Sequence, residues 1–348
     1  MRRAVAAAML ALFSAVFWAA VESPDARVSG KCKDCHSMHA ESPSPHLTKG
    51  GCLGCHAMNP EGKQNIVFAG RARIPQVLHN MENGDLAGGN FYYVADGFAP
   101  DYSKGHNVLG ISKRQPAPRD VPPGFMRSVP IPGGVGPLRW LREQQLTCAG
   151  TWGCHGNRTI ADPYKSMQGA HHEDDSVIDG TTVGRSYRFL YGVLGAEHRD
   201  WEYLATIDNH NGYRGDKDHV SMDTISYFCG QCHGEVHPHA QLGGVNPLIM
   251  AQHTHLTDIA FSAVKGGYEG SEFQAYVVYD LFTPVAYMNP KGNEKVVDAD
   301  SIVMCLSCHR PHATPYQQML RWDYSKMFAG SGESVPGCKA CHTGKLRR

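Results

Sequence analysis

The longest apolar run in the chain is Ala4 to Val21, preceded by Arg2 and Arg3 and followed by polar Glu22, Ser23 and Pro24. That pattern predicts an export signal over residues 1–21, with cleavage between about residues 20 and 27; an uncleaved anchor is the alternative, since roughly 20 residues span a bilayer. No later stretch is apolar for long enough to cross a membrane. Beyond the leader the apolar positions come in short groups. Leu138 to Leu146 is Pro-free and predicts a short helix leading to Cys148. Phe273 to Tyr287 alternates (Tyr276, Val278, Asp280) and predicts a strand pair. Gln317 to Phe328 spaces Met319, Leu320, Trp322 and Met327 as a helix would.

Composition changes this picture in one respect. Gly 38 and Pro 21 make up about 17% of the 348 residues, above the usual level of about 12%. Both residue types work against long helices and sheets, Gly by freeing the backbone and Pro by removing an N–H. Something other than secondary structure must supply much of the core. Seven of the prolines fall between Ile111 and Pro137 and predict an extended, partly polyproline segment on the surface, with a domain linker as the other reading. Formal net charge is zero, which gives no electrostatic case for nucleic acid.

The cysteines decide the chemistry. All 12 fall into six pairs, each closed by a histidine. Five are Cys-x-x-Cys-His: Cys32/Cys35/His36, Cys52/Cys55/His56, Cys229/Cys232/His233, Cys305/Cys308/His309 and Cys338/Cys341/His342. Cys-x-x-Cys-His is the attachment signature of c-type haem. On one helical turn the first Cys, the second Cys and the His share a face, so both sulfurs can reach the haem vinyl groups while the imidazole meets the iron. Disulfide frameworks, zinc ribbons and thioredoxin-like motifs do not demand that repeated His. The remaining pair is stretched to Cys148-Ala-Gly-Thr-Trp-Gly-Cys154-His155. Gly150 and Gly153 let its loop fold back so that both sulfurs meet one porphyrin; a disulfide beside an unused His155 is the competing reading. The expected cofactors are six c-type haems, with His36, His56, His155, His233, His309 and His342 as proximal ligands.

Fourteen of the 20 histidines remain, enough to give every iron a second imidazole. A second His in place of Met keeps the potential low. His39 and His312 each lie three residues beyond a motif His, a spacing that sends the ring away from its own haem towards a neighbouring one. His79 and His106 flank a Gly-rich aromatic stretch (Gly88, Gly89, Phe91, Tyr92, Tyr93), where backbone can lie close to a porphyrin edge. His171 and His172 are adjacent, so one of them is expected to ligate, and His255 completes the distal set. Saturated irons leave no position for substrate, which points to an electron-transfer protein and not an enzyme. About 325 mature residues leave roughly 54 per haem, too few for a separate hydrophobic domain around each. The expectation is therefore a single hexahaem domain over residues 22–348 whose core is six closely stacked haems. The loop Asp208 to Asp216 carries oxygen donors of the kind calcium takes, but a plain polar loop is the reading adopted.

Cys32-Lys-Asp-Cys-His-Ser-Met-His39, Tyr92-Tyr-Val-Ala-Asp96, Gly105-His-Asn107, Cys305-Leu-Ser-Cys-His-Arg-Pro-His312, Met319-Leu-Arg-Trp322 and Cys338-Lys-Ala-Cys-His342 resemble the hexahaem, filament-forming outer-surface c-type cytochromes of metal-reducing bacteria. The resemblance covers roughly residues 30–110 and 300–345; the stretched third motif and Gly169-Ala-His-His172 depart from it. It implies a mostly coil fold with short helices and a few short strands, and haems in alternating parallel and T-shaped pairs, all bis-His. It also implies identical subunits joined head to tail, with His39 ligating the Cys305/Cys308 haem of the adjacent subunit. The function expected is extracellular electron transfer along a homopolymer, between redox partners of the cell envelope and outside acceptors. A monomeric periplasmic or surface carrier is the alternative, and a multihaem oxidoreductase the more distant one.

Overall fold

The structure, a computed structural model, describes residues 28, 30–37, 47–113, 122–124, 144–167, 176–234, 257–263, 272–328 and 337–342. The export segment, most of the Pro-rich stretch, and His39, His171, His172 and His255 lie outside the described residues.

Among those residues the backbone is mostly coil, broken by short elements placed at the cysteine motifs. Helices α1 (Cys32–Cys35), α2 (Leu53–His56), α5 (Cys305–Cys308) and α6 (Cys338–Cys341) are each a single turn, as is α3 (Pro163–Ser166). The longest is α4 (Ile225–Gly230), which leads into the fourth motif. Thr224 starts it by accepting the Tyr227 N–H through its hydroxyl, satisfying a donor that the helix start leaves open. Strands pair only in twos. The hairpin β1 (Ile66–Ala69) and β2 (Ala72–Pro75) is antiparallel, and β3 (Thr147–Ala149) with β4 (Gly153–His155) is parallel. Two-residue pairs β5 (Gly195–Ala196)/β6 (Gly212–Tyr213) and β7 (Ile259–Ala260)/β8 (Ile302–Val303) complete the set.

Three expected elements differ. Gln144 and Gln145 are not helical, Leu146 bridges Val108, and Cys148 arrives on a strand. Residues 273–287 do not pair with each other: Val278 bridges Val296, Ala286 bridges Ile302, and Tyr287 bridges Arg214. Each half of that stretch finds its hydrogen bonds in a distant segment. Gln317 to Phe328 forms two 3-10 turns, Gln317–Met319 and Tyr324–Lys326, because Gln318 and Met319 take left-handed backbone at φ 60°. Non-Gly residues pay roughly 1–2 kcal/mol each for that conformation, so it signals a tertiary demand.

Apolar side chains gather in three clusters placed against the motifs. Phe91, Val94 and Val108 pack with Leu53 and Cys148; Tyr187, Tyr213, Ile302 and Met304 pack with Cys154 and Phe228; Phe261, Tyr276 and Tyr279 pack with Cys341. The third motif joins two of these clusters, through Cys148 and Cys154.

Candidate haem-attachment sites

Five motifs share one backbone device. The motif His donates its N–H to the carbonyl of the first Cys: His36 to Cys32 (2.8 Å), His56 to Cys52 (3.0 Å), His233 to Cys229 (3.0 Å), His309 to Cys305 (3.1 Å) and His342 to Cys338 (2.8 Å). That closes a single α-turn and puts two thiols and an imidazole on one side. The stretched third motif reaches a similar result with a ribbon. Pairing of Thr147 with Gly153 and of Ala149 with His155 sets Cys148 beside Cys154. Gly150, at φ +90°, makes the return, and a Cβ there would lie 2.6 Å from the Ala161 carbonyl oxygen.

None of the 12 cysteines is in a disulfide. Instead their thiols interact from motif to motif in chain order. Cys35 lies close to Cys55, Cys52 to Cys148, and Cys154 within electrostatic reach of Cys232. Cys229 lies close to Cys305 and within reach of Cys154, and Cys308 senses both Cys338 and Cys341. Over the first four junctions second cysteines meet second and first meet first in turn; at the last, Cys308 meets both cysteines of the sixth motif. Burial pushes the Cys154 thiol up to about 11 and the Cys308 thiol up to about 12.

The histidines separate into two groups by what their ring nitrogens touch. A carbonyl can only accept, so a ring nitrogen facing one must carry the proton. His56 Nδ1 donates to the Pro75 carbonyl (3.0 Å), His155 to Arg188 (2.9 Å), His233 to Pro123 (2.7 Å) and His309 to Gln318 (2.8 Å). His79 Nδ1 likewise donates to Asn80 (2.6 Å) and His106 Nδ1 to Pro311 (2.6 Å). With Nδ1 protonated, Nε2 is the lone-pair nitrogen of each such ring, the tautomer a ligating imidazole uses. His79 is 0% exposed and its Nε2 has no hydrogen-bond partner. Burial favours the neutral form of His56, His155, His233 and His309, lowering each. Burial, then the neighbouring His233, drives His106 to about 4; burial, then His155, drives His312 to about 3.

Three histidines outside the expected ligand set are engaged otherwise. His198 Nδ1 accepts the N–H groups of Asp200 and Glu202, so its proton sits on Nε2. His219 commits Nε2 to the Asp258 carbonyl at 2.6 Å. His210 faces carbonyls on both sides, Asn211 at 2.8 Å and Glu294 at 3.1 Å.

Two imidazole pairs face each other across a gap. The His106 and His233 ring centres are 6.2 Å apart, and those of His155 and His312 are 6.3 Å apart. A metal–imidazole bond of about 2 Å, with about 1 Å more from nitrogen to ring centre, places two axial rings on one iron about 6 Å apart. The spacing after His309 thus carries His312 to the ring of the third motif. One crossing of backbone holds both the His106 and the His312 rings. Residues 310–314 are clamped between two segments by His312 N–H to the Gly88 carbonyl (2.8 Å), Asn90 N–H to Ala313 (3.0 Å) and His106 N–H to His312 (3.0 Å). Phe91 stacks on the His312 ring at 4.7 Å. Gly88 and Gly105 are small because the crossing is tight: a Cβ on Gly105 would lie 2.4 Å from that of Ala313. The partners of the proximal rings (Pro75, Pro123, Arg188, Gln318) act through main-chain carbonyls, which no side-chain pattern announces.

The other candidates are placed less centrally. His36 bridges Thr48, and His342 sits edge-on to Phe273 at 5.3 Å. In the loop from Asp208 to Asp216 the acids are spent on the protein: Asp208 pairs with Lys295, and Asp216 accepts from the backbone of Asp218, Val220 and Ser221.

Fold and sites define a chain of repeated Cys-His attachment motifs strung on irregular backbone. The doubled CXXCH motif family matches residues 295–346, which hold the fifth and sixth motifs. No curated protein matches the chain. Among solved structures it is similar to the Outer Membrane Cytochrome S filament from Geobacter sulfurreducens, at 17% identity over 88% of this chain and 86% of that one, with a TM-score of 0.37. It is similar also to the OmcS nanowires from Geobacter sulfurreducens seen by cryo-EM, at 17% identity over 92% and 91%, with a TM-score of 0.43. No described helix is long and apolar enough to cross a membrane.

Proposed function

We propose that the protein is an exported cytochrome that binds six c-type haems, carries electrons between them, and polymerises head to tail into an extracellular conducting filament. The observation that carries this reading is the unbroken motif-to-motif order of the thiols, with imidazole pairs one iron apart between them. Haem supplies one-electron chemistry when bound; the chain sets spacing, ligation and burial. The twelve thiols would take the covalent bonds. His155 with His312 and His233 with His106 would be the axial pairs of the third and fourth irons. His79 would serve another iron, with His39, His255 and one of His171 and His172 for the rest. Over the first four junctions the alternation of second-to-second and first-to-first thiol contacts supports alternating parallel and T-shaped haem pairs.

Polymerisation is supported by a repeat. Around the first motif, Ser37 N–H donates to Leu47, Lys49 N–H donates to Cys35, and His36 bridges Thr48. Around the fifth, Arg310 donates to Met319, Arg321 donates to Cys308, and His309 bridges Leu320. The two motifs share one local design, and both are followed by His at the third residue, His39 and His312. His312 reaches back two motifs, to the third. The same reach from His39 passes the start of the chain and lands on the fifth motif of a preceding copy. Such a contact does not close and so propagates a filament.

The test is pyridine haemochrome analysis with cryo-EM of the secreted protein. Six porphyrins per chain, all low-spin, in a filament that His39→Ala disrupts are expected. Six low-spin haems in a monomer would favour the single-chain carrier. A high-spin iron that binds small molecules would favour an oxidoreductase.

A further inference from the structure

We infer that Arg188-Phe189 and Gln318-Met319 are positioning clips, each holding a proximal imidazole by two successive left-handed carbonyls and so setting how strongly that ring donates to iron. The inference rests on the cytochrome reading above. Arg188 and Phe189 have φ 51° and 58°, and Gln318 and Met319 have φ 60° and 60°. In both dipeptides the first carbonyl accepts the proximal ring Nδ1–H: Arg188 from His155 at 2.9 Å, Gln318 from His309 at 2.8 Å. In both, the second carbonyl accepts the N–H of the residue after that His: Phe189 from Gly156 at 2.8 Å, Met319 from Arg310 at 3.0 Å. The third motif is a ribbon and the fifth a helical turn, yet the same clip closes both.

Two adjacent donors need two carbonyls aimed the same way. Extended backbone alternates its carbonyls, whereas consecutive residues in a helical sense align them. A helical dipeptide is therefore required, and here it is left-handed at non-Gly residues, which persist there only when the surroundings impose it. The first motif repeats the outer bond, from Ser37 to Leu47 at φ 56°. The second and fourth motifs do not use the device: His56 and His233 lean on the carbonyls of Pro75 and Pro123. A carbonyl on Nδ1–H raises the basicity of a ligating imidazole and favours the oxidised metal, so loosening the clip should raise that haem's potential.

Gln318 is exposed, which makes it the clean probe. Gln318→Val disfavours left-handed backbone and Gln318→Gly keeps it. In the haem-loaded chain, Gln318→Val should weaken oxidised-state stabilisation at one haem about tenfold, an upward shift of about 59 mV for one electron, while Gln318→Gly titrates as wild type. Unchanged midpoints in Gln318→Val, or equal shifts in both variants, would overturn the inference. Failure of only the Val variant to accumulate as holoprotein supports it, and failure of both counts against it. A wild-type chain without haem would instead refute the cytochrome reading.

Discussion

The crossing at residues 310–314 holds the half-buried His312 and His106, and the loop region from His198 to His219 buries His198 and His210, to different ends. His106 donates its Nδ1–H to the Pro311 carbonyl, and the His106 and His312 rings each stand opposite a motif imidazole. His210, only 1% exposed, gives both nitrogens to carbonyls and stacks on Tyr279 at 4.3 Å. Burial alone does not mark a ligand. What separates the two regions is whether a ring stands opposite a motif imidazole or gives its nitrogens to carbonyls, and that is a property of neighbours brought in by the fold.

The largest effect expected from breaking this contrast is at His312. His312→Ala should leave one iron five-coordinate and high-spin, seen by electron paramagnetic resonance, whereas His210→Ala should leave every spin state unchanged and lower stability by about 1–3 kcal/mol in denaturant unfolding. An altered spin state in His210→Ala would erase the distinction. Next are two glycines in equally tight places. Gly105→Ala meets Ala313 and the His312 carbonyl, and Gly292→Ala meets the His210 carbonyl at 2.6 Å. Each should cost about 1–3 kcal/mol, but only Gly105→Ala should disturb haem spectra, and at two haems together.

A smaller effect depends on pH. Burial pushes the Asp216 carboxylate up, but N–H groups from Asp218, Ser221 and Val220 outweigh it and hold the group below its ordinary value. A depressed carboxylate contributes stability above its unfolded pKa of about 3.9 and loses it as pH falls through the folded value. Asp216→Asn should therefore be less stable than wild type at neutral pH, by about 1–3 kcal/mol, and the gap should close below about pH 4. Thermal melts across that range test it; a gap that widens in acid has the wrong sign. The smallest effect is Phe91→Leu, which removes the stacking on His312 and should cost about 0.5–1.5 kcal/mol beyond area, with the low-spin spectrum retained.

The backbone of the motifs was legible because it is local. Five of the motifs need only an α-turn, and the His N–H to Cys carbonyl bond in each is what that spacing delivers. Elements that depended on distant partners were misread. The apolar spacing of Met319, Leu320 and Trp322 suits a helix, but the carbonyls of Gln318 and Met319 are taken by His309 and Arg310, which forces left-handed turns instead. Alternation in 273–287 suits a strand pair, yet Val296, Ile302 and Arg214 provide the pairing.

By itself the sequence determined the local geometry of the motifs, since Cys and His types and spacings within five to eight residues act through single-turn and short-ribbon geometry. Only the tertiary structure decided that His312 meets His155, that His106 meets His233, and that thiols line up in motif order. The imidazole pairs join residues more than a hundred positions apart and the thiols join separate motifs, and a long-range contact is set by which carbonyls and cavities the rest of the chain has already filled.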